Sequence, residues 1–99
     1  MTGPATFRPH VNTVFQVDRD PNPVPLRLID VADERISHGM QQFSLYFHGP
    51  SDRLLPQGLY EFRHDALGSL TLFIVPVVGS DHQRIVYQAC FSHAAPASG

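Results

Sequence analysis

The chain has 99 residues and a mass of 11.0 kDa, the size of one small domain with no room for a second core. Charged residues make up 16% and hydrophobic residues 42%, so a folded globule with a sparsely charged surface is expected rather than a disordered chain. The net charge is −2, and seven scattered arginines without a lysine do not form the basic stripe of a nucleic-acid binder.

Residues 1–10 contain Gly3, Pro4 and Pro9 and read as an extended arm. The opening MTGPATFRPH lacks the apolar core of a secretory signal, so the cytoplasm is the default expectation, with export without a signal peptide left open. Residues 13–18 form a short β run, and residues 19–23 hold two prolines and read as a turn. A second strand is predicted over 24–31. The polar stretch 33–39 ends at a glycine and reads as a loop.

Residues 42–48 carry the clearest period of two, with Phe43, Leu45 and Phe47 opposed to Ser44, Tyr46 and His48. Residues 49–52 read as the break after that strand. Residues 59–64 alternate again, with Tyr60 and Phe62 on one face. Residues 65–68 form a tight connection that ends at Gly68. Residues 70–78 are almost continuously apolar, which predicts a strand covered on both faces. A hairpin turn at 79–82 leads into a last strand at 84–91, and residues 93–99 read as a flexible tail. Six short strands with Gly, Pro and Asp turns predict an all-β fold: a single compact antiparallel β-barrel or β-sandwich. No apolar run reaches the roughly 18 residues of a transmembrane helix.

Six histidines are the most conspicuous chemistry: His10, His38, His48, His64, His82 and His93. None stands in an HxH, HExxH or HxxxH relation, the spacings that bring two imidazoles to one ion. His48 and His64 close successive strands, so a metal or small-ligand site would be built on that pair, with Asp65 beside His64 as an orienting acid. Leu55-Pro56-Gln57-Gly58 resembles a fragment of a cupin motif, but the upstream histidine pair is missing and a turn is the better reading.

No catalytic residue is predicted. There is no GxSxG elbow; Ser44 lies within a strand and Ser69 follows a turn glycine. Cys90, the single cysteine, sits in an apolar strand and reads as a buried small hydrophobe. Asp30, Asp33 and Glu34, partly offset by Arg35, read as a solvated loop. No cofactor is implied, since no glycine-rich phosphate loop is present. Tyr46, Tyr60 and Tyr87 read as an amphipathic face of the kind found at protein interfaces. The expectation is a non-enzymatic interaction or assembly module with a protein partner or a second copy of itself. The alternative is a ligand- or metal-binding barrel built on His48 and His64.

The same residues carry a resemblance. Phe7 and His10-Val11 precede Phe15; Phe43-Ser44-Leu45-x-Phe47-x-Gly49-Pro50 and Leu55-Pro56-Gln57-Gly58-x-Tyr60 follow. Then come His64-x-x-Leu67-Gly68, Leu72-Phe73-x-x-Pro76 and Tyr87-x-Ala89-x-Phe91. From Phe7 to Phe91 the chain resembles a family of small bacterial proteins with no assigned function. Members often carry glycine after the first His-Val, where this chain has Asn12. The resemblance implies gene neighbours of the phage-tail-collar and microcystin-dependent type, hence a partner in a tail-like or secreted fibre assembly.

Overall fold

The computed structural model describes residues 4–37, 39–77 and 84–94. Its elements are α1 (Pro4–Phe7), a 3-10 turn (Arg8–His10), β1 (Val14–Val17), β2 (Val24–Ser37), β3 (Met40–Pro50), β4 (Gly58–His64), β5 (Gly68–Pro76) and β6 (Arg84–Ala94). The six strands form a closed antiparallel barrel in the order β1-β2-β3-β6-β5-β4, with β4 returning to β1. The expected all-β fold is therefore a barrel and not a sandwich.

Closure is uneven. β3 and β6 pair along their whole lengths, from Met40↔Ala94 to Pro50↔Arg84. By contrast, β5 meets β6 only from Ile74↔Ala89 to Pro76↔Tyr87, and β1 meets β4 only at Gln16↔Arg63 and Val17↔Phe62. The β4–β5 hairpin is thus held by two narrow seams, and β2, β3 and β6 overhang it as a long sheet. At ~3.3 Å per residue the 14 residues of β2 span about 46 Å. That matches the long dimension of a molecule of 45 × 29 × 22 Å.

β2 runs through the stretch read as a loop. Its ladder to β3 contains register shifts between Leu28 and Asp30 and between Ala32 and Arg35. Each inserted residue reverses the inside–outside phase, so the period-two signal is lost while the pairing continues. β3 runs through Gly49 and ends at Pro50, so the expected break falls two residues later, in the turn that starts at Ser51. A Cβ on Gly49 would collide with Leu26 Cδ2 and stand 3.0 Å from Tyr87 Cε2. The glycine makes room for a tyrosine ring laid across the strand.

Among the described residues fifteen apolar side chains fill the interior, including Phe15, Phe47 and Phe62. Their ring centroids lie 5.4–6.4 Å apart in tilted and edge-on contacts. The arm expected to be extended over residues 1–10 is helical from Pro4 to His10, because Phe7 has an interior to reach. Fully buried, it packs against Phe43 and Phe91, whose rings stack at 4.7 Å across the β3–β6 ladder. Asn12 then turns the chain into β1 with φ of 76°, a left-handed conformation that asparagine tolerates nearly as glycine does. Its amide donates to the Leu28 carbonyl at 2.7 Å. The loop after β3 buries Leu55, whose amide donates to the Tyr87 hydroxyl at 2.9 Å.

Candidate functional site

The densest polar cluster lies where the β1–β4 ladder ends. His64, the last residue of β4, accepts hydrogen bonds at Nδ1 from the amides of Ala66 (3.0 Å) and Leu67 (3.2 Å). It thereby caps the turn into β5, and Nδ1 must be unprotonated. Nε2 lies 2.9 Å from Thr13 Oγ1, and that hydroxyl donates to the His10 carbonyl at 2.5 Å. The threonine oxygen is then the acceptor, and the proton of the neutral ring sits on Nε2. The ring packs on Phe15 at 4.3 Å and meets His10 edge-on at 4.9 Å. Burial, then the neighbouring His10, push the His64 pKa below its ordinary value, against an opposing pull from Asp65. Both nitrogens are spent on joining the β4–β5 turn to β1.

His48 does not join this cluster. It lies on β3 in the outward phase, opposite Arg27 on β2, whereas His64 follows the inward phase of β4 beside Phe15. The pair on which the alternative metal or small-ligand site would be built therefore faces opposite sides of the wall. Among the described residues no three His, Cys, Asp or Glu side chains gather as metal ligands. His38 and His82 lie outside the described residues. His48 instead lines a shallow groove of about 390 Å³ with Arg27 and Arg84, whose Nη1 is 3.3 Å from His48 Nδ1.

The three tyrosines do not form one face. Tyr87 is fully buried, and desolvation raises its hydroxyl pKa while that hydroxyl serves the Leu55 amide. Tyr87 shares the inward phase of β6 with Ala89. Tyr60 follows the inward phase of β4, donates to the Pro56 carbonyl at 2.6 Å and lies under Arg19. Tyr46 alone is on the outer face, where Gln88 Nε2 donates to its hydroxyl and to Ser44 Oγ, each at 3.2 Å. Cys90, expected to be buried, is exposed on the same side, with its sulfur 3.7 Å from Ser44 Oγ.

An apolar patch takes the place of the tyrosine face. Leu59 is 68% exposed, Phe73 47% and Val75 37%. Leu59 pairs directly with Phe73, and Val75 follows two residues on along the same face of β5. These side chains are neighbours on the outside of β4 and β5. The apolar run 70–78 had predicted a strand covered on both faces, yet its odd positions point outwards. A signal was present in Ser69 and Thr71, the polar start of that outer row.

Fold and site together define a small closed β-barrel whose polar clusters brace its own wall and whose outer face carries an apolar patch on β4 and β5. The model of a family described as a domain of unknown function (DUF6916) matches residues 3–91, and the chain belongs to that family. No curated protein and no solved structure matches the chain.

Proposed function

We propose that the chain is a non-enzymatic protein-interaction module that docks its partner on the outer face of β4 and β5. The observation that carries this reading is the contiguous exposure of Leu59, Phe73 and Val75. Large apolar side chains grouped on one face of a small globule mark a contact surface. The face lies on the outer wall of the barrel. Small ligands favour concave sites with a few convergent polar groups, whereas a flat apolar centre with a polar surround suits a protein. Thr71 and Glu61, joined by a 2.8 Å hydrogen bond, supply part of that surround. The tail-like or secreted fibre assembly implied by the sequence resemblance is the proposed setting for the partner.

The test uses immobilised wild-type protein and the Leu59→Ser/Phe73→Ser double variant, each exposed to extract of the native host. A protein held by the wild type is expected to be lost from the variant, with circular dichroism and thermal midpoint unchanged. Equal retention by both would contradict the site.

A further inference from the structure

The uneven closure of the barrel leaves two overhanging strand edges, and they differ in chemistry. β2 runs on past Leu28, where its bonds to the β1 segment end. β6 runs on past Ala89, where its ladder to β5 ends. Among the described residues, no strand continues the ladder on either side. Along the β2 overhang the sequence carries Asp30, Asp33, Glu34 and Arg35. Charge on an exposed edge is how sheets block unwanted pairing. From residue 85 to residue 94, β6 carries no Asp, Glu, Lys or Arg. One edge carries charged residues in its sequence and the other does not.

We infer that the open edge of β6, over residues 90–94, pairs antiparallel with the same edge of a second copy of this chain. An unbroken register favours this edge as a template, since the β2–β3 ladder contains two shifts and the β3–β6 ladder none. β3 holds it on the inner side through Phe43↔Phe91, Gln42↔Ser92, Gln41↔His93 and Met40↔Ala94. The absence of charge selects the occupant. In a two-fold pairing each residue meets the same short segment of its copy, and a charged strand would set like charges against each other. This strand sets none. The pairing joins β2, β3 and β6 of both copies into one continuous sheet. It also brings the second copy beside Phe73 and Cys90, covering part of the apolar face, so the inference rests on reading that face as a docking surface.

Sedimentation equilibrium of the isolated wild-type chain over a concentration series is the test, read beside Cys90→Ser and Cys90→Arg. Wild type and Cys90→Ser are expected to reach twice the chain mass. Cys90→Arg, which puts a cation on the strand, is expected to raise the dimer dissociation constant about tenfold or more. Cys90 is exposed and is the only cysteine, so a short bis-maleimide should also link two native wild-type chains. Phe73→Arg serves as a second charged variant should Cys90→Arg fold poorly. A monomer at every concentration overturns the self-pairing, as does a dimer indifferent to both charged variants. Loss of self-pairing with host-protein capture still dependent on Leu59 and Phe73 leaves the docking face standing with a different occupant.

Discussion

Both ring nitrogens of His64 are engaged, Nδ1 by the turn into β5 and Nε2 by Thr13 ahead of β1, so its protonation state is a structural variable. A proton on Nδ1 would displace the Ala66 and Leu67 amides from the turn. The folded-state pKa lies below the 6.5 of the free side chain, so the unfolded chain takes up the proton first. The stability contributed by the neutral ring is complete above about pH 6.5 and is lost progressively as pH falls towards the folded-state value. The thermal midpoint should therefore drop between about pH 7 and pH 5. His64→Asn keeps a turn-capping acceptor without titrating and should make that slope shallower. An unchanged slope would remove His64 from this role. Gly49 offers a second single-residue test. Gly49→Ala forces Leu26 and Tyr87 apart and should cost about 1–3 kcal/mol in chemical denaturation.

At the level of elements, strand number and type follow from the alternation of Phe43, Leu45 and Phe47 and from the Gly and Pro turns. The overhang of β2 does not, because two bulges scramble the phase over a polar sequence. Nor does the burial of Tyr87, which depends on the space that Gly49 leaves open across a ladder the linear sequence does not display. The N-terminal segment was misread for a related reason. Two prolines and a glycine suggest an extended arm, and only the aromatic pair Phe43 and Phe91 gives Phe7 a place to dock. That docking makes α1 part of the core. Phe7→Ala should cost about 3–5 kcal/mol, read as a lowered urea midpoint with the strand signal retained below it. A midpoint within error of wild type would show α1 to be dispensable. Of the candidate site, the histidine-rich character was visible in sequence. The division of His48 and His64 between outside and inside was not, since it depends on how β4 closes onto β1.

At the scale of the whole molecule, the account comes down to where a sparsely charged barrel leaves apolar surface uncovered. Internal hydrogen bonds occupy His64, Tyr60 and Tyr87, and the core absorbs nearly every phenylalanine. Leu59, Phe73 and Val75 remain outside, next to an uncharged strand edge. Native mass spectrometry of untagged protein from its own host separates protein assembly from ligand binding. A protein assembly is expected, either a multiple of the chain mass or the chain with a second protein. That assembly should dissolve in the Leu59→Ser/Phe73→Ser variant. A monomer carrying the mass increment of a metal ion or a small molecule, unchanged in that variant, would contradict it.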